Sequence, residues 1–137
     1  MNGAAGAAQL VELDRRACLR LLASRDVGRI VFTEAAMPAA HPVSYLLDGE
    51  EVVFRTGTGR TFGAVRDAVV AFQTDEIDRA GRTGWSVLGV GHAYEVRDTH
   101  RLAALAGRVP EPWAPRRGEH TIAVPLRHLT GRRVVRI

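Results

Sequence analysis

The chain has 137 residues, of which 46% are hydrophobic and 25% charged. That length fits one compact domain, excludes a two-domain enzyme with separate cofactor and substrate domains, and supports a core without disulfide staples; the apolar content excludes a disordered chain. The formal charge is +4 and the isoelectric point near 10.5, yet all 19 basic residues are arginine.

The first segment, Met1-Asn2-Gly3-Ala4-Ala5-Gly6-Ala7-Ala8, is small and flexible in composition, and residues 1–10 read as a leader before a single domain over 11–137. It lacks the basic and leucine-rich regions of a secretory signal, and no apolar run approaches the roughly 20 residues that span a bilayer. A cytoplasmic location is the expectation. A helix follows Asp14, a good N-cap, with Leu13, Ala17 and Leu21 at i, i+4, i+8 and Cys18 and Leu22 on the adjoining line. Cys18 is the lone cysteine; on that face it reads as a small buried apolar residue.

The pattern then changes to period two. Val27 to Thr33 and His41 to Leu47 read as strands, Asp48-Gly49 as a hairpin turn, and Glu51 to Thr56 as a third strand. Gly57-Thr58-Gly59 breaks the ladder, and Thr61 to Arg66 is a short helix with Phe62 and Val65 inward. Val69 to Thr74 is a strand, Asp75 to Gly84 a polar loop, and Trp85 to Arg97 a long strand bent at Gly89 and Gly91. Thr99 caps a helix over Arg101 to Gly107. Val109 to Gly118 holds three prolines and Trp113 and reads as an extended crossing segment; Thr121 to Leu126 and Arg132 to Ile137 close the chain around a Thr130-Gly131 turn. Six to seven strands joined mostly by hairpins, with two to three short helices, predict a mainly β, α+β fold: an antiparallel barrel with helices at its edges.

The segment best suited to chemistry is Val53-Phe54-Arg55-Thr56-Gly57-Thr58-Gly59-Arg60-Thr61. A strand ending on arginine, a glycine-rich loop and a second arginine offer guanidinium forks, hydroxyls and backbone N–H groups, which together suit a phosphate. Spacing alone leaves an ordinary polar loop open as well, since the segment matches neither a Walker loop nor a dinucleotide fingerprint. His41-Pro42-Val43-Ser44-Tyr45 starts a strand at a proline, which cannot donate to a ladder. A planar heterocycle could use such an open strand start; a plain strand start is the simpler alternative. Trp85 and Trp113, the only tryptophans, suit a ligand ring, a core or an interface. The five histidines lack metal-ligand spacing, and no catalytic triad is evident, so no catalytic residue is assigned.

Taken in order, the helix Asp14–Ser24, Val27-Gly28-Arg29-Ile30-Val31-Phe32, Pro42-Val43-Ser44-Tyr45, Asp48-Gly49, Val53-Phe54-Arg55-Thr56, Gly59-Arg60, Gly84-Trp85-Ser86-Val87-Leu88, Gly91-His92-Ala93, Pro112-Trp113 and Leu129-Thr130-Gly131-Arg132-Arg133 resemble the pyridoxamine 5′-phosphate oxidase-like family of FMN-binding split β-barrels, in its short actinobacterial form. The resemblance covers nearly the whole chain after the leader. It implies a homodimer holding FMN at the subunit interface and a flavin-dependent oxidoreductase. By the same resemblance Arg55, Thr56, Arg60 and Thr61 hold the phosphate, and Val43 and Ser44 present backbone to the isoalloxazine edge. Ser86, with Trp85, lies near the ribityl-phosphate side, and Trp113 approaches the ring from the second subunit. Two departures stand out. Arginine replaces the common lysine at Arg60, and the segment that recognises pyridoxine phosphate has no clear counterpart after Arg133, which argues against pyridoxamine phosphate as substrate.

Related split barrels also bind the deazaflavin coenzyme or haem, so the fold alone does not fix the cofactor. A deazaflavin-dependent reductase would draw on Arg79, Arg82 or Arg116 and Arg117 for the longer anionic tail; a non-catalytic flavin- or haem-binding sensor module is a third alternative. Nucleic acid is not expected as a partner, because the arginines are scattered among acids and aromatics make up only 6%.

Overall fold

The computed structural model describes residues 7–112 and 119–137. Among these are nine strands and three helices; the strands form one antiparallel sheet that curls without closing, the split barrel that the resemblance implies. In chain order the elements are β1 (Ala8–Leu13), α1 (Arg15–Ala23), β2 (Val27–Glu34), β3 (Met37–Asp48), β4 (Glu51–Thr56), α2 (Arg60–Val65), β5 (Val69–Asp78), β6 (Thr83–His92), β7 (Tyr94–Glu95), α3 (Thr99–Leu105), β8 (His120–Pro125) and β9 (His128–Arg136). Their order across the sheet is β1-β9-β6-β5-β2-β3-β4-β8-β7.

Helix α1 starts as its sequence dictates: Asp14 Oδ1 accepts from the Ala17 N–H at 2.8 Å, which satisfies one of the orphan donors of the first turn. Cys18 and Leu22 face inward and are buried. Helix α3 is capped by Asp98, whose carboxylate accepts from His100 N–H, one position earlier than the Thr99 cap expected.

The remaining differences from the sequence pattern have local causes. The β2–β3 hairpin turns on Ala35 and Ala36, both left-handed at φ 52° and 63°, with Glu34 paired to Met37. Two alanines carry none of the glycine or asparagine signal of such a turn, so β3 starts four residues before His41. The next hairpin turns on Gly49 and Glu50, since Asp48 pairs with Glu51; Gly49 supplies the positive φ of 63°. The expected loop from Asp75 is instead the outer part of the β5–β6 hairpin, where Asp78 pairs with Thr83. Glu76, Ile77 and Asp78 are exposed there, so hydrogen bonds rather than burial hold the strand.

The expected strand Trp85–Arg97 divides at Ala93: its N–H still donates to Ala68 O at 2.8 Å, beside the last rung of β5 with β6, and Tyr94 and Glu95 then pair with β8 instead. Thr130-Gly131 is no turn but the middle of β9, paired with Leu88 and Val87. Gly131 is needed there because a Cβ would fall 2.6 Å from Cys18 Sγ. Residues 8–10, expected in the leader, begin β1, paired with the far end of β9.

The main core gathers Ile30, Phe32, Tyr45, Phe54, Phe72 and Ile122 inside the barrel, with α1 closing one end. A smaller core under α3 contains Val53, Val96, Leu105, Val109 and Ala123. Strand β4 serves both, Val52 and Phe54 in one and Val53 in the other, which is why it reads as a continuous apolar run up to Arg55.

Candidate functional site

Strand β3 changes partner midway. Met37 to Ser44 pair with β2, and Tyr45 to Asp48 pair with β4. At the handover the Tyr45 N–H donates to Asp26 O at 3.0 Å, on the β2 side. Successive strand residues turn their amides to opposite edges, so Ser44 turns its N–H and C=O away from β2 and Val43 turns its own toward β2. The missing N–H of Pro42 falls on the same edge as Ser44, where no ladder bond is lost.

Two adjoining clefts lie along this segment and share Pro42 and Val43. The first, about 270 Å³, is lined by Val27, Pro42, Val43, Ser44, Arg55, Pro110 and Pro112. Its walls are apolar apart from Ser44 and Arg55. Val109, buried in the smaller core, anchors the segment that carries Pro110 and Pro112 to this position. The second cleft, about 500 Å³, is polar: Thr56, Thr58, Arg60 and Thr61 line it with Glu34 and His41.

The sequence-predicted residues Val43, Ser44, Arg55, Thr56, Arg60 and Thr61 thus come together around one pair of clefts. Trp85 and Ser86 do not share them; both border a concavity lined by β1, β9 and the β5–β6 hairpin with Arg79 and Arg82 of its turn. Alternation along β6 sends the two in opposite directions. Trp85 joins the main core at 8% exposure, while Ser86 lies on the outer face with Leu88 and Val90, neither of which is buried. Trp113, Arg116 and Arg117 lie outside the described residues.

The two cleft arginines are held differently. The Arg55 side chain is only 18% exposed, and its Nη1 donates to Glu111 Oε1 at 2.8 Å. Arg60 is 91% exposed, with its nearest carboxylate oxygen, on Glu34, 3.9 Å away. Thr61 Oγ1 lies 3.1 Å from His41 Nδ1, and the His41 ring meets Phe32 edge-on.

Behind the Gly57–Gly59 loop is a chain of polar groups that the sequence spacing did not reveal. Thr58 Oγ1 is 2.9 Å from His120 Nε2, and His120 Nδ1 is 2.8 Å from Glu95 Oε2. The imidazole stacks on Phe62, with centroids 3.7 Å apart and planes within 12°. The hydrogen bond from His120, helped by one from Arg97, holds the Glu95 carboxyl below its usual range despite partial burial. These contacts join residues 25 to 62 positions apart: the pairing of β7 with β8 and of β8 with β4 brings Glu95 and His120 here, and the segment after α3 brings Glu111 to Arg55.

Among the described residues, no cluster of three or more histidine, cysteine or carboxylate groups is arranged to hold a metal, and no helix is long and apolar enough to cross a membrane.

Comparisons with known proteins agree with this architecture. Rv0080 of Mycobacterium tuberculosis is 42% identical over 135 residues, covering 94% of this chain and 88% of that protein. The FAD binding protein from Mycobacterium smegmatis superposes with a TM-score of 0.77 at 33% identity, over 90% of this chain and 98% of its own. DIP1874 of Corynebacterium diphtheriae, a conserved protein of unknown function, gives 0.77 at 31% identity, over 92% and 98%. The family model for pyridoxamine 5′-phosphate oxidase matches residues 14–137, the whole barrel from the cap of α1 onward, and the chain belongs to that family.

Proposed function

We propose that the protein is a flavin-binding oxidoreductase that takes FMN in the paired clefts, with the ring in the apolar one and the phosphate in the polar one. The observation that carries this reading is the junction itself: an apolar slot and a threonine- and arginine-lined pocket meeting at Pro42 and Val43. A flavin monophosphate has this division into a planar apolar end and an anionic end. The residues present fit the group, since Val27, Pro42, Val43, Pro110 and Pro112 offer apolar contact and Ser44 offers the open backbone edge. Arg55, Thr56, Arg60 and Thr61 offer donors to a phosphate. The flavin-binding relative at 33% identity supports the same class of cofactor.

A bound flavin supplies the hydride-accepting chemistry, which needs no acid–base pair from the protein. The chain's own residues bind and orient it. Arg55 must exchange Glu111 for the phosphate, and the Pro110–Pro112 segment shields one side of the slot from water. A second copy of the chain completes the site in this proposal. The outer face of β2, β5 and β6 carries Val27, Val69, Ile77 and Leu88, 37%, 66%, 64% and 41% exposed, and two copies meeting there would cover an apolar surface that costs free energy in water. The roles given to Ser86 and Trp113 rest on that second copy.

The test is absorbance and fluorescence titration of the purified full chain with FMN, FAD and the deazaflavin coenzyme, alongside its molar mass in solution. A yellow dimer with a flavin band near ~450 nm and a preference for FMN is the expected result. Protein that takes up neither FMN nor FAD overturns the reading; preference for the deazaflavin replaces FMN with that coenzyme.

A further inference from the structure

We propose that the concavity between β1, β9 and the β5–β6 hairpin binds an organic anion, an acid group on an apolar body, with arginines holding the acid group. The hollow shares no lining residue with the flavin clefts and does not depend on the flavin reading.

Strand register builds its floor. Leu10 pairs with Val134, Val134 with Gly84, and Gly84 with Ile77, so one row crosses four strands on a single face of the sheet. Gly84 leaves a gap in that row between Val134 and Ile77, and a Cβ there would fall 2.6 Å from Glu76 O. Ser86, a small residue, continues the gap in the next row, between Arg132 and Asp75. The resulting hollow measures about 470 Å³, within the range that takes a small organic ligand. Leu10 and Ile77 at its two ends are 58% and 64% exposed. Ile77 is also the end of the face given above to a second copy, and the hollow runs from it toward the β1 edge.

The rim is cationic. Arg79, Arg82 and Arg132 line it, and all three are exposed. Among the described residues none of them takes part in an ion pair or a side-chain hydrogen bond. The nearest carboxylates serve other groups or stand apart. Asp78 Oδ1 accepts from the Gly81 N–H at 3.1 Å, Asp75 accepts from Gln73 and faces Arg29, and Glu12, opposite Arg132 in register, is exposed. The turn that carries Arg79 and Arg82 is braced, since Arg136 Nε donates to Gly81 O at 3.0 Å; both guanidinium groups are thereby tied to β9, which carries the third.

A guanidinium without a carboxylate partner offers two parallel N–H donors to an acid group. An inorganic anion or a polyanionic chain would use these donors and leave Leu10, Val134 and Ile77 in water. A ligand with an apolar body uses both the rim and the floor.

The experiment is titration of the nitrogen-15-labelled full chain near neutral pH with naphthyl phosphate, naphthoate, uncharged naphthol and inorganic phosphate, followed by amide NMR shifts. The two charged naphthyl probes are expected to move the Leu10, Gly84, Ser86 and Val134 amides with a Kd of roughly 0.1–1 mM; the tighter of the two identifies the acid group as phosphate or carboxylate. Naphthol and inorganic phosphate are each expected to bind there at least about fivefold more weakly. Arg82→Gln with Arg132→Gln is expected to weaken the charged probes by about five- to tenfold and to leave naphthol within about twofold. Arg16→Gln with Arg20→Gln, a change of equal charge on α1, should leave all four within about twofold. No shift of the groove amides overturns the proposal, as does binding of naphthol or inorganic phosphate as tight as that of the charged naphthyl probes. Undiminished affinity in Arg82→Gln with Arg132→Gln, or an equal loss in the α1 variant, overturns it too. Each of these outcomes leaves the flavin reading standing.

Discussion

Arg55 is the cleft cation with a partner already in place, and that partner sets a number. Its guanidinium is largely buried, while Glu111 is 75% exposed and meets it at 2.8 Å. A pair with one end in water contributes about 0.3–1 kcal/mol. A phosphate must displace Glu111 before it can use the same fork, so that amount opposes binding. Glu111→Ala is therefore expected to tighten FMN binding by about two- to fivefold. Arg55→Ala removes charge-assisted hydrogen bonds worth about 1.5–3 kcal/mol and is expected to weaken binding by about ten- to 150-fold. In the double variant the gain from Glu111→Ala should vanish, because Glu111 no longer has a guanidinium to occupy. Fluorescence titration of the four proteins at constant salt makes the cycle. Weaker FMN binding by Glu111→Ala, or the same gain in the Arg55→Ala background, would refute competition for the arginine.

The β2–β3 turn offers a stability prediction. Ala35 and Ala36 hold left-handed backbone at a cost of roughly 1 kcal/mol each, so Ala35→Asn with Ala36→Gly is expected to raise the unfolding free energy by about 1–2 kcal/mol in urea titration; an unchanged midpoint would show that the turn is not strained. Burial pushes the Tyr45 phenol up to about 12, and its O–H donates to Leu22 O at 2.6 Å. The folded protein keeps this phenol neutral while the unfolded chain ionises near pH ~10, so stability is full below that value and falls as pH rises from there toward 12. Denaturant midpoints across that range should decline, and the part due to Tyr45 should be absent in Tyr45→Phe, itself less stable by about 1 kcal/mol at neutral pH.

The barrel was legible because its signals are local and additive. Asp14 before an i, i+4 row, alternation along β2, the continuous apolar run of β4, and the break at Gly57-Thr58-Gly59 each act over a few residues. Elements held by pairing rather than burial were not legible. Strand β1, mostly exposed, and the outer part of the β5–β6 hairpin show no apolar period. Gly131 looked like a turn residue because a glycine needed for close packing against Cys18 and one needed for a positive φ are the same letter. At the site, Arg55, Thr56, Arg60 and Thr61 stood out because phosphate chemistry concentrates its donors in one loop. Glu95, Glu111 and His120 did not, because their partners are distant in the chain: Glu95 and His120 meet across paired strands, and Glu111 reaches Arg55 from the segment after α3. Val43 and Ser44 could be placed at the cleft from the proline beside them, but which of the two turns its amide outward depended on the pairing of Tyr45 with Asp26.

The handover in β3 also has a mechanical side. The half of the sheet made of β4, β8 and β7 joins the half made of β2, β5, β6, β9 and β1 through the rungs Tyr45–Phe54, Leu46–Val53, Leu47–Val52 and Asp48–Glu51, against twice as many between β2 and β3. A short ladder bends more easily than a long one, and this one begins where the clefts lie. Arg55 and the Gly57–Gly59 loop ride on one side of this joint and Val27 and His41 on the other, so anything that fills the clefts splints the joint. Protection of the Leu46 and Asp48 amides from exchange then measures how stiffly the two halves are clamped.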